Sequence, residues 1–173
     1  MIRPAKLTLL LVILAVAGCA APEAGRVASE IDSDAGGRQL PLTPAEREEQ
    51  YRLAFAHGLR LVAAEQYGLA MGAFEQAAML KPDSPEALFN LGACHEAIGD
   101  PVRAMSFYHR VLEMTPGDAD CYANLGTCFI KMYHREKSPV WRKMAFEAWH
   151  RALELDPDHA AARACRARAE RES

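Results

Sequence analysis

Gly58, Gly92 and Gly126 stand 34 residues apart, and other residues keep step with them. Ala70 and Ala104 share the interval, as do Phe74 and Tyr108, Ala77 and Val111, and Pro82 and Pro116. A chain that repeats at this period is one supersecondary unit used several times. Such a unit cannot bury its apolar side alone and has to stack on its neighbours. The period therefore constrains the fold before any single motif is considered.

The unit from Pro85 to Asp118 shows how the pattern works. Leu88, Leu91 and His95 are spaced i, i+3, i+7 and share one helix face. Gly92 lets a second helix approach closely, at the expense of helix propensity. Ala104, Tyr108 and Val111 form the facing stripe, in which Tyr108 fills space over a small neighbour. Asp100-Pro101 and Ser84-Pro85 each place a capping side chain before a proline at the first helical position. Thr43-Pro44-Ala45-Glu46 is a capping box, so the first helix starts about two turns ahead of its repeat at Tyr51.

The helix-turn-helix pattern, with its small residues at the eighth and twentieth places and an aromatic at the twenty-fourth, resembles the tetratricopeptide repeat (TPR) family. The resemblance implies an all-α fold, an α-solenoid of TPR hairpins with a C-terminal capping helix. Its units are 51–84, 85–118 and 119–159, with a terminal helix over 160–171 that covers the last apolar face. The third unit departs from the period. Tyr122, Leu125, Gly126 and Phe129 keep the 34-residue spacing, but Ala145, Trp149, Ala152 and Pro157 follow their counterparts by 41. The seven extra residues, about two helical turns, are expected to lengthen each helix of that hairpin by one turn, with Ser138 capping the second helix.

In this family the first helices of the hairpins line a concave groove. The matching positions are Arg52, Phe55, Leu59, Val62 and Ala63 in the first unit, and Glu86, Phe89, Ala93, Glu96 and Ala97 in the second. Asp120, Ala123, Thr127, Ile130 and Lys131 supply the third. The resemblance implies that this groove, apolar at its centre with acids around it, holds a protein or peptide partner. Asn90 and Asn124 occupy the place of the asparagines in the carboxylate clamps of TPR co-chaperones. A clamp also needs cations, and Asp120 stands where the clamp uses lysine, so capture of a chain terminus is not expected. The inserted turns carry a possible second contact, basic and aromatic, at Arg135, Lys137, Trp141 and Lys143. The alternative is a solvated extension in which Trp141 packs on Met132 or Tyr133.

The amino-terminal residues read as an address. Arg3 and Lys6 precede an apolar run from Leu7 to Ala17, too short to span a bilayer but suited to a signal-peptide core. Val16-Ala17-Gly18-Cys19 resembles a bacterial lipobox, which implies a signal peptide over 1–18 and a lipidated, palmitate-bearing Cys19. Ala at residue 20, rather than Asp, implies the outer membrane facing the periplasm if the cell has one. Residues 19–43 then form a tether rich in Pro, Gly, Ser and Asp, with a reach of roughly 26 Å by random-coil scaling.

The net charge of −3 offers no general attraction to nucleic acid. No HExxH, CxxC, phosphate loop or GxSxG occurs, so no catalytic residue, metal site or cofactor is expected. His109 and His150 recur at one repeat position without further ligands. Cys121 and Cys128 lie seven apart on one helix, about 10 Å of rise, too far to bridge, and Cys94 and Cys128 share a small buried column. They are expected to be buried free thiols. The expected function is a non-catalytic, lipid-anchored scaffold of the cell envelope. It would serve pilus, secretion or outer-membrane assembly; the alternatives are an adaptor for cell-wall enzymes or, from a different class, a small-ligand or enzymatic envelope protein.

Overall fold

The computed structural model describes residues 41–172. The expected leader, Cys19 and almost all of the tether lie outside them. Seven helices follow in order: α1 Pro44–Ala63, α2 Tyr67–Leu80, α3 Pro85–Ala97, α4 Pro101–Met114, α5 Ala119–Glu136, α6 Pro139–Leu155 and α7 Ala160–Arg171. They pair as the hairpins α1–α2, α3–α4 and α5–α6, and α7 closes the stack against α5 and α6.

The capping chemistry sets the boundaries. The Thr43 hydroxyl accepts from the Glu46 amide at 3.2 Å, and the Thr43 amide donates to the Glu46 carboxylate at 2.8 Å, which completes the capping box. Ser84 and Asp100 accept from the amides of Ala87 and Arg103, and a proline fills the first position of α3 and α4. Asp118 caps α5 through the Cys121 amide at 2.8 Å. Ser138 differs from expectation. It precedes α6, but its side chain makes no capping bond, and α6 begins on Pro139 alone, whose fixed φ suits the first turn.

Each hairpin is closed by one recurring contact. A Cβ placed on Gly58 would lie 2.6 Å from Phe74 Cε1, one on Gly92 would lie 2.7 Å from Tyr108 Cε1, and one on Gly126 would come closer still to Trp149 Nε1. No side chain fits there. The aromatic ring rests on bare helix backbone, and Phe74, Tyr108 and Trp149 are fully buried as a result. Trp149 is the largest of the three. Its hairpin makes room by placing Ala123 where the others have Phe55 and Phe89, and the indole Nε1 donates to the Ala123 carbonyl at 3.1 Å. From these rings one core runs through all three hairpins to Ala162 and Ala169 of α7.

The inserted residues enter both helices of the third hairpin. α5 has 18 residues and α6 has 17, against 13 and 14 in α3 and α4. The link between them shortens to Lys137 and Ser138, and Lys137 turns the chain in the left-handed region at φ 56°. Trp141 stacks on Phe129, with centroids 6.0 Å apart, and its Nε1 donates to Glu136 at 2.7 Å. Its ring partner is thus Phe129, one turn before the Met132 and Tyr133 named in the expectation.

Cys94, Cys121 and Cys128 are buried free thiols, and Cys165 on α7 is half-buried. Burial raises all three buried thiols, Cys128 to about 12 with a further push from Glu96. In a thiol-labelling experiment at pH 8, Cys165 should react first among these four, and the other three should react only as the domain unfolds. Rapid labelling of Cys121 or Cys128 in the folded protein would show that the third hairpin opens.

Candidate partner-binding groove

The curvature of the stack decides which surface is concave. From the second hairpin onward the first helices converge: α3 approaches α5, and α5 approaches α7. The second helices make no comparable approach to one another. Helices α3, α5 and α7 therefore lie together on the inner side, and α1 carries the equivalent repeat positions of the first hairpin.

Polar ties hold this convergence. Lys131 Nζ donates to Glu96 Oε1 at 2.9 Å and to the Glu96 carbonyl at 3.3 Å, joining α5 to α3. His159 caps α7 by accepting from the Ala162 amide on Nδ1, so its proton sits on Nε2 and is donated to Asp120 of α5 at 2.9 Å. Ser84 Oγ gives its one proton to Glu86 Oε2, so the Tyr51 hydroxyl is the donor in their 2.7 Å bond, which joins α1 to the start of α3. Burial, reinforced by the carboxylate of Glu96, drives the Tyr108 hydroxyl far above its ordinary range and keeps it neutral behind the groove.

The predicted groove residues divide into three groups. Leu59 is 44% exposed, and Val62 and Ala93 are half-buried; these form the accessible apolar surface. Phe55 and Phe89 are half-buried because each leans on its hairpin's core ring, 5.5 Å from Phe74 and 5.6 Å from Tyr108 between centroids. Thr127 and Ile130 are half-buried and line a small hollow shared with Cys165 and Ala169 of α7. Ala123 departs from expectation. It is buried under Trp149 and adds nothing to the groove surface.

The charged members of the row are already engaged. Arg52 pairs with Glu49, Glu86 with Ser84, Glu96 with Lys131, and Asp120 with His159. Asn90 donates to its own helix at the Glu86 carbonyl, 2.8 Å away. Half-buried Asn124 makes no side-chain hydrogen bond among the described residues. At the inserted tip, Arg135, Lys137 and Lys143 are exposed, and Lys143 lies 3.6 Å from Glu147. Among the described residues, no three His, Cys, Asp or Glu side chains are grouped to hold a metal ion, and no helix is long and apolar enough to cross a membrane.

Sequence reasoning missed the ties between units. Glu96 and Lys131 are 35 residues apart and Asp120 and His159 are 39 apart, so neither pair keeps the period that reveals the rest.

Stacked helical hairpins with their first helices along a concave face define a helical-repeat solenoid. The tetratricopeptide repeat model matches residues 61–123. The chain is a tetratricopeptide repeat protein. Among curated proteins it is similar to the Photosystem I assembly protein Ycf3 of Prochlorococcus marinus, 25% identical over 69% of this chain and 74% of the relative. Among solved structures it is similar to YrrB, described as a TPR protein with an unusual peptide-binding site. The identity is 30% with a TM-score of 0.59, over 67% of this chain and just over half, 56%, of that one. The first TPR of Spaghetti (RPAP3), solved with the HSP90 peptide SRMEEVD, shares the fold at 14% identity and a TM-score of 0.63, over 72% of this chain and 93% of that one.

The geometry separates surface from support. Leu59→Glu should change stability by no more than about 0.5 kcal/mol, because the side chain already meets water. Phe89→Glu should cost at least about 2 kcal/mol, because it strips Tyr108 of its cover and half-buries a charge. Urea denaturation of the two variants checks the assignment, and equal costs would show that the register of the groove is wrong.

Proposed function

We propose that this protein is a non-catalytic scaffold that holds a protein partner in the concave groove, lipid-anchored through Cys19 at the bacterial cell envelope. The observation that carries the reading is that Leu59 is 44% exposed, and Val62 and Ala93 half-buried, at the groove positions of the repeat. An apolar strip on a concave surface is a binding surface looking for a cover. The curated relative supports the same general role, being named as an assembly protein of a larger complex. What carries over is assembly by holding a component, which here would serve a pilus, secretion or outer-membrane machine.

Anchoring rests on the lipobox-like Val16-Ala17-Gly18-Cys19. Several acyl chains on one cysteine hold a protein firmly where a single chain does not. The tether would then let the groove sample partners near the outer membrane without lying on the lipid.

Two variants in the native host separate the halves of this reading. Cys19→Ser should move the protein out of the membrane fraction or leave its leader uncleaved, while the purified variant still captures its partner. Leu59→Glu should stay in the membrane fraction and lose at least tenfold in partner recovery by crosslinking. A soluble, acyl-free mature protein would refute the anchor. Undiminished recovery with Leu59→Glu would refute the groove.

A further inference from the structure

Resting on that scaffold reading, we infer that the groove takes an internal, apolar, acid-free segment of its partner, and does not read a terminal carboxylate. The inference comes from how the groove's charges are spent. A carboxylate is captured by convergent cations or by backbone amides left open for it. The row of α1, α3 and α5 holds two cations, Arg52 and Lys131, which belong to the first and third hairpins. Lys131 is bound twice to Glu96, by side chain and by carbonyl. That pair ties α5 to α3, so releasing Lys131 to a ligand would loosen the curvature that shapes the groove. Arg52 is held by Glu49.

The acids point the same way. Glu86, Glu96 and Asp120 outnumber the two cations along the row, and Arg168, which lines the hollow beside Thr127 and Ile130, is paired with Glu172, so an incoming carboxylate meets no open cation cluster. Lys131 neutralises Glu96, while Glu86 and Asp120 hydrogen-bond to neutral partners, the Ser84 hydroxyl and His159, and so keep their charge against an acidic segment. What stays open is apolar: Leu59, Val62 and Ala93, backed by the edges of Phe55 and Phe89. The complement of such a surface is a segment with large apolar side chains on one side and no charge at its centre. Asn124, with its amide uncommitted among the described residues, offers a donor and an acceptor to that segment's backbone.

The test uses two random 12-residue peptide libraries against the immobilised full chain. One displays the peptide between flanking domains, and the other displays it with a free carboxyl end. Selected peptides are kept when Leu59→Glu weakens them at least tenfold. The expected result is enrichment from the internal library of sequences with two or more large apolar residues. Their Kd should change less than twofold on amidation of the carboxyl end and less than threefold between 50 and 300 mM NaCl. The peptide SRMEEVD should show no binding that Leu59→Glu removes. Binders confined to the free-carboxyl library, losing tenfold or more on amidation, would overturn the inference while leaving the scaffold reading intact. If neither library yields a binder sensitive to Leu59→Glu, the groove is not the binding surface and both readings fall together.

Discussion

The contact between a helix glycine and a buried aromatic ring is the interaction on which the rest of this structure depends. It occurs once per hairpin, at Gly58 with Phe74, Gly92 with Tyr108 and Gly126 with Trp149. Glycine in mid-helix is a poor choice by propensity, costing about 1 kcal/mol against alanine. The ring that lies on it recovers more than that, because a fully buried aromatic is among the largest single contributions to a core. The contact also sets how closely the two helices of a hairpin approach, and so how one hairpin seats on the next.

From that seating follows the curvature. α3 and α5 approach each other, as do α5 and α7, and polar groups join each pair. The ties at Lys131 and His159 are partly exposed pairs, so each contributes modestly to stability. Lys131 neutralises Glu96, and a neutral His159 holds Asp120 in place by a hydrogen bond.

Much of this was legible in the residues. The period announced the hairpins, the Thr43, Ser84 and Asp100 caps announced three helix starts, and the 41-residue interval announced two lengthened helices. These features are local or strictly periodic, so one sequence carries them. The failures were of another kind. Ser138 looks like its counterparts Ser84 and Asp100, but its side chain makes no capping bond and the first turn of α6 rests on Pro139. Ala123 sits in the groove column yet is buried, because the ring opposite it is a tryptophan. Trp141 stacks on Phe129, a pairing between helices that a single sequence does not mark. The ties between units break the period and join side chains that nothing in the sequence marks as neighbours. Which residues of the concave row touch a partner was readable only as a repeat position, and burial has since divided that row.

The central claim is that Gly92 is required because Tyr108 occupies its place, and a double-mutant cycle tests it most directly. Equilibrium denaturation would be measured for the wild type, Gly92→Ala, Tyr108→Ala and the double variant, in a stabilising sulfate buffer so that all four fold. With Tyr108 present, Gly92→Ala should destabilise by about 1–3 kcal/mol, the cost of overpacking a tight contact. With Tyr108 removed, the same substitution should stabilise by up to about 1 kcal/mol, because alanine is the better helix former. A reversal of sign is the predicted result. An equal cost in both backgrounds would contradict the account.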